Sequence, residues 1–444
     1  MNLQSLKFIN NGELKSTALN QLWRLVSAPL VIFLIPVYLS SEEQGYWFLI
    51  ISVGAIAAFA DFGFSTILMQ FSAHEFAFLK FNSKNEIEGS QENMNKLSSL
   101  FMFALRWAAI VTVVILPITY ITGILFLGDT NTEINWKLPW LLYNIGAIIS
   151  FVNSIVLAFF EGCDSVKEIQ IIRLKITVLS TLIVLIGLIS NFELYALSIS
   201  LLVSSIYGTL ILYSKYKKNI QTFYYKNKES FYNWGPKIFP LLRKYIVSWS
   251  SGFIMFQLFT PIMFYFHGAV EAGKIGISIA VFTAIFSVSN IWTTSIIPKI
   301  NMAIAKSDFF KLNYIFNKYF TLTICTYVLG SIVFYILYFI FNDEFDFFDR
   351  FLNIRSLALL NLGWFAQLFI HNLAIYLRSH KEEPLLVPSV LSSIYVVFTT
   401  LFSGFYLSID FFFMGFVTLF LWLLPWVIIL YKRKKRFNMS SINV

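Results

Sequence analysis

Three ionisable side chains lie where a helical reading puts oil rather than water. Arg24, Asp61 and Arg106 each fall inside an apolar block of about twenty residues. At ~1.5 Å of rise per residue they sit roughly 10, 13 and 9 Å from the nearer polar edge of their blocks. A charge at the centre of a bilayer costs about 2.5–3.5 kcal/mol on insertion scales, so such groups face a partner or a hydrated cavity. Guanidinium groups hold phosphate oxygens through paired donors and stay charged while doing so. Two arginines and a carboxylate at matching depth describe an anion site with an attendant acid, which either orients an arginine or relays a proton. The plainer alternative is that the arginines reach the interface along their aliphatic stems and that Asp61 pairs with one of them.

Helical periodicity extends the set. Asn20, Arg24 and Ser27 recur at i, i+4, i+7 and share a face. Gly54, Ala58, Asp61 and Ser65 form a small and polar stripe on the next block. In the second half Gln257, Asn290, Thr293, Thr294, Asn361, Gln367, His371 and Asn372 bring polarity with little charge. The candidate binding residues are Arg24, Arg106, Asn20, Asn290 and Asn361, with Asp61 as the coupling group or counter-ion. His371 reads as a packing residue. No catalytic constellation accompanies them: His74, His267, His371 and His380 are scattered, and neither a phosphate-cradling glycine loop nor an H-E-x-x-H pair occurs. The expectation is a protein that is not an enzyme, with no cofactor and no metal. Cys163 and Cys325 suggest no disulfide framework.

The elements that position these residues follow from composition. Of 444 residues, 57% are hydrophobic and 13% charged; a soluble domain carries about 25% charged residues. Apolar blocks at 17–39, 44–70, 100–127, 138–160, 174–189 and 194–213 form one set, and 245–266, 275–298, 319–341, 354–377, 385–407 and 411–430 a second. Each is long enough to cross a ~30 Å hydrocarbon core as a helix. The chain is expected to be an all-α polytopic membrane protein with six-helix bundles at 1–213 and 245–444, joined by a basic cytoplasmic linker at 214–244. Residues 1–16 lack the pattern of a signal peptide and are expected to be retained.

Lysines and arginines give the orientation. Lys80, Lys84, Lys96, Lys167, Arg173, Lys175, the central basic segment, Arg378 and the tail 432–436 fall on one side. Lys137, Lys274, Arg350 and Arg355 fall on the other, outnumbered there by acidic residues. Both termini are thus expected in the cytoplasm, and the net charge of +9 needs no nucleic-acid partner. Arg173 and Arg378 read as anchors facing anionic lipid. The halves look related: Glu43-Gln44-Gly45 answers Glu271-Ala272-Gly273, and Thr66-Ile67-Leu68 answers Thr294-Ser295-Ile296. An even unit repeated in tandem gives two halves of like orientation.

Ala60-Asp61-Phe62-Gly63-Phe64-Ser65, Glu161-Gly162, and Tyr376-Leu377-Arg378 followed by Lys381-Glu382-Glu383-Pro384 together resemble segments of Wzx-type polysaccharide flippases. That family belongs to a superfamily with MATE-like multidrug exporters. The resemblance implies two six-helix bundles around a central cavity. It also implies transfer of undecaprenyl-pyrophosphate-linked oligosaccharide, such as O-antigen repeat units, to the periplasmic leaflet of a bacterial inner membrane. Arg24 and Asp61 are the residues it carries over. The partners it implies are the lipid-linked oligosaccharide, membrane lipids, a polysaccharide polymerase and a chain-length regulator. Rival readings are a MATE-like drug or ion antiporter and a membrane polymerase or acyltransferase. The short outer loops disfavour a polymerase.

Overall fold

In hydrocarbon a backbone must satisfy its own N–H and C=O groups, which leaves the helix as the form open to these apolar blocks. The computed structural model describes residues 12–128, 134–229, 232–305, 307–341, 347–380 and 384–440. Asp129, Glu133, Lys306, the acidic residues 343, 344 and 346, and Lys381-Glu382-Glu383 lie outside the described residues. Among those described, ten helices are long and apolar enough to cross a membrane. One continuous stretch, Gly235–Asn301, has 67 residues, room for two crossings at about twenty residues each. The second expected span is divided between two shorter helices, which brings the count near twelve.

The first half contains α1 (Gly12–Tyr38), α2 (Ser41–Phe59), α3 (Phe64–Phe76), β1 (Leu79–Phe81), β2 (Ile87–Gly89), α4 (Gln91–Leu127), α5 (Lys137–Gly162), α6 (Val166–Ile189) and α7 (Leu194–Glu229). The second contains α8 (Gly235–Gln257), α9 (Phe259–Thr294), α10 (Ile297–Ala305), α11 (Phe309–Phe341), α12 (Ile354–Arg378), α13 (Leu386–Tyr406) and α14 (Met414–Ser440). The chain divides into two compact units, Met1–Ser250 and Ser251–Val444, with the division inside α8.

In the first unit α5 packs on α7, α1 on α6, and α3 on α5. Small residues let the backbones approach. A Cβ on Gly146 would lie 2.8 Å from the Leu202 backbone nitrogen, and one on Gly162 would lie 2.4 Å from the Met69 carbonyl oxygen. The Asn153 amide donates to the Ser205 carbonyl (2.8 Å) and accepts from Thr209 Oγ1 (2.9 Å), tying α5 to α7. Such cross-helix bonds average about 0.6 kcal/mol in membrane proteins, so close packing carries most of the association. Where α4, α5 and α7 meet, the core turns aromatic: Phe101, Phe159, Phe160, Tyr216 and Phe223 are buried together, with Phe160 stacked on Tyr216 at 3.8 Å. In the second unit α9 packs on α11 and α12, and α14 on α12 and α13.

Two features depart from the sequence reading. The polar segment expected as a linker at 214–244 begins as helix: α7 runs without a break to Glu229. The polar stretch after the second span folds as a hairpin, with Leu79 opposite Gly89 and Phe81 opposite Ile87. Asn82 builds its turn by accepting from the backbone of Lys84 and Glu86, both at 2.9 Å. The hairpin docks on the extension of α7. Asn219 accepts from Ile87 N (2.9 Å) and donates to the Asn85 carbonyl (2.8 Å), and Lys218 pairs with Glu86 at 2.6 Å. The Lys218 hydrogen bond holds the Glu86 carboxyl below its ordinary range. Its contribution is therefore present above the usual carboxylate pKa and is lost as pH falls through the depressed value.

Two outcomes follow. Asn219→Ala leaves the buried Ile87 N–H unbonded, at a cost of about 1–3 kcal/mol, and faster hydrogen exchange confined to 79–89 is the expected readout. Gly162→Val forces a side chain into backbone and should cost about 1–3 kcal/mol, lowering the thermal midpoint in detergent. Gly252→Ala, with open space around its Cβ, should leave that midpoint unchanged or raise it.

Candidate functional site

Asp61 stands at a break in the second span. α2 ends at Phe59 and α3 begins at Phe64. Between them Phe62 (φ 48°) and Gly63 (φ 76°) adopt left-handed conformations. The first N–H groups of α3 are met locally: Phe64 N donates to the Asp61 carbonyl, Thr66 N and Ile67 N to the Gly63 carbonyl, and Ser65 N to the Asp61 carboxylate. Ser65 N donates to both oxygens (3.1 and 3.3 Å), and Ser65 Oγ donates at 2.6 Å. A carboxylate beside a helix N-terminus is stabilised by the partial positive charge there. Gly63 meets its conformation without penalty and is covered by Tyr245 and Trp249, whose nearest atoms would lie 3.0 and 3.1 Å from a Cβ. Among the described residues no arginine lies within ion-pairing distance of Asp61. Gly54, part of the expected polar stripe, instead makes room for Tyr143: a Cβ there would lie 2.1 Å from that ring.

Arg24 and Arg106 are both exposed, on different kinds of surface. α1 packs on α6 through the row Ser16, Asn20, Trp23, Ser27 and Val31. Its remaining surface splits in two. One sector is apolar, with Leu22, Val26, Phe33 and Val37 exposed. The other carries Thr17, Gln21, Arg24 and Ala28 at helical spacing. Arg24 has no hydrogen-bond or ion-pair partner among the described residues. Arg106 instead heads a row on α4 that continues through Ile110 (61% exposed) and Val113 (73%). That is the surface of an arginine snorkelling along an apolar face.

Asn20 belongs to a chain of polar side chains that the sequence reading had not connected. Asn20 Nδ2 donates to Gln170 Oε1 (3.0 Å), Gln170 Nε2 to Glu161 Oε1 (3.0 Å), and Arg173 Nη2 to Glu161 Oε2 (2.6 Å). Arg173, expected as a lipid-facing anchor, is thus held by a carboxylate within the unit. The adjacent Glu161-Gly162 motif contained the signal: the glycine allows α5 to approach α3 closely, and the glutamate bridges α5 to α6. Three atoms on this α1–α6 seam remain buried without a hydrogen-bond partner: Asn20 Oδ1, Trp23 Nε1 and Arg173 Nε. These are atoms that a bound polar group or water would satisfy.

The second-half candidates use their amides internally. Asn290 Oδ1 accepts from Asn372 Nδ2 (2.9 Å) while its own Nδ2 donates to the Phe286 carbonyl (2.9 Å). Asn361 Oδ1 accepts from Tyr327 (2.8 Å) and Ser331 (3.1 Å). Both hold helices of the second unit together. His371 packs edge-on against Phe286. Among the described residues no group of three His, Cys, Asp or Glu side chains is placed to hold a metal ion.

No protein-family model matches the sequence, and no curated protein matches it. Solved structures do match along nearly the whole chain. An inward-facing multidrug-resistance MATE transporter of the MOP superfamily superposes with a TM-score of 0.65 at 13% identity, covering 93% of this chain and 96% of that one. A Vibrio cholerae MATE transporter mutant gives 0.55 at 13% identity over 95% of each chain. An outward-facing MATE transporter gives 0.52 at 12% identity over 99% of this chain and 100% of that one. The fold is that of a MATE-like transporter. At these identities the likeness extends to the fold alone. The candidate residues stand on their own geometry within that MATE-like frame.

The Asp61 geometry separates two roles. Asn caps a helix about as well as Asp, so Asp61→Asn should keep the thermal midpoint while Asp61→Ala lowers it by the equivalent of about 1 kcal/mol. If the carboxylate charge serves transport, Asp61→Asn will be folded and inactive. A fully active Asp61→Asn protein would confine Asp61 to capping.

Proposed function

We propose that this MATE-like protein is a flippase. Its cargo would be undecaprenyl-pyrophosphate-linked oligosaccharide, an O-antigen or similar repeat unit, carried from the cytoplasmic to the periplasmic leaflet of a bacterial inner membrane by alternating access. The observation that carries the proposal is Arg24. Its guanidinium is exposed on a polar sector of α1, distinct from that helix's apolar sector, with its donors available. Bringing a multiply charged head group through bare hydrocarbon is prohibitive. A guanidinium on a hydrated surface offers paired donors to pyrophosphate and lowers that barrier. The buried unpartnered atoms of Asn20 and Trp23 lie within a turn of it and add polar capacity on the same seam. The polyprenyl tail would stay in lipid, and Asp61 would serve as the coupling acid. Arg106, on its apolar row, would anchor α4 at the interface.

Multidrug export by a MATE-like antiporter is a second reading, favoured by the multidrug-resistance transporter among the matching structures. A cationic drug would call for acidic groups rather than an available arginine, so Arg24 argues for the anionic cargo.

Arg24→Ala in the native host, at normal protein level, should cut surface polysaccharide by about tenfold. Arg24→Lys should restore part of it, since lysine keeps the charge and loses the two-pronged geometry. Undiminished polymer in the alanine strain, together with drug sensitivity on deleting the gene, would establish the exporter reading instead.

A further inference from the structure

The second compact unit carries a cavity of about 500 Å³ that the proposed transport route does not use. Its wall brings together His267, Glu271 and Lys274 from α9, Asn353 just before α12, and Ser408 and Asp410 just after α13. Gly268, at φ 85° with open space around its Cβ position, breaks α9 and sets His267 and Glu271 on either side of the bend.

The wall is held by its own hydrogen bonds. Lys274 Nζ donates to Glu271 at 2.9 Å. Asp410 accepts from Asn353 Nδ2 and from Arg355 Nη1. Asn353 Oδ1 caps α12 by accepting from Ser356 N at 2.9 Å, and Ser356 Oγ donates to the Ile409 carbonyl at 3.0 Å. His267 Nε2 lies 3.1 Å from the Gly404 carbonyl, which can only accept. Nε2 therefore carries the hydrogen, and Nδ1 is left as an acceptor in the neutral ring. Each group keeps capacity beyond these bonds: the ammonium has further N–H donors, the carboxylates further lone pairs, and the Asn353 amide a second N–H.

Charge narrows the ligand. Glu271 offsets Lys274 and Asp410 offsets Arg355, so a cation or an anion meets repulsion along with attraction. A hydroxyl both donates and accepts and suits a wall that alternates the two. Leu352 and Ile409 give the same wall an apolar surface. Tyr265, Phe405 and Tyr406, exposed at 64%, 65% and 68%, stand within two residues of His267 or Gly404. A volume of this size lies in the range of small-ligand sites. We propose that this cavity is a neutral-saccharide site of about disaccharide capacity. The assignment of its physiological ligand, the sugar portion of the lipid-linked cargo, rests on the flippase reading.

The test uses the full chain in detergent and saturation-transfer NMR. The probe is the neutral saccharide mixture released by mild acid from the host's own surface polysaccharide, with inorganic pyrophosphate as competitor. Transfer to saccharide is expected for the natural protein, with no displacement by pyrophosphate. Ser408→Trp fills the exposed mouth and leaves every ion pair in place; it should weaken the signal about tenfold. Asp410→Asn should weaken it too, and Arg24→Ala should leave it unchanged. Absence of transfer to the natural protein, an undiminished signal in Ser408→Trp, or displacement by pyrophosphate overturns the proposal. The two readings fail separately. Normal polymer in the Arg24→Ala strain together with drug sensitivity on deleting the gene, with intact saccharide binding, removes the flippase and keeps the site; lost polymer without saccharide binding removes the site alone.

Discussion

A bilayer supplies no hydrogen bonds, and every irregular stretch of backbone at membrane depth needs a partner from the protein itself. The second span leaves regular helix at 60–63, where turn bonds such as Phe62 N to the Phe59 carbonyl and Phe64 N to the Asp61 carbonyl carry the backbone and one carboxylate completes the set. Asp61 gathers the loose end of α3 through three contacts with Ser65, and Gly63 supplies the left-handed backbone that makes the bend possible. The approach of α3 to α5 at Gly162, and through α5 the polar chain from Glu161 to Asn20, are laid out from that bend onwards.

Much of this frame was legible from composition alone. Apolar blocks of the length a bilayer demands marked the spans, because lipid removes nearly every alternative to helix. The hairpin at 79–89 escaped notice because its strands are three residues long and owe their order to Asn219, more than a hundred residues away. The continuation of α7 escaped for a related reason: a basic, polar sequence reads as a loop until the aromatic cluster around Tyr216 and Phe223 is seen to bury one face of it.

The candidate site was legible in part, and the limit is instructive. Depth along a helix can be counted, so the three mid-span charges were visible at once. Azimuth is harder, because it depends on which neighbour covers which face. Arg24 and Arg106 look alike in sequence and come to occupy unlike surfaces. Asp61 was visible as a charge in mid-span, while its bond to Ser65 depended on a left-handed bend at Phe62 and Gly63 that no periodicity announces. The same holds for Asn290 and Asn361, whose amides are engaged by partners on other helices, and for Arg173, whose carboxylate partner lies across a loop.

The uninterrupted α7 has a mechanical consequence. Its 36 residues extend roughly 54 Å at helical rise, far more than the hydrocarbon core requires, and the surplus is clamped to the hairpin by Asn219 and Lys218. A helix of that kind behaves as a torsion bar. A swivel of the buried half would reach the outer half through continuous backbone hydrogen bonds and be passed to the hairpin bonded there. Whatever grips the hairpin from the aqueous side thereby grips the membrane span, and could brake it without entering the bilayer.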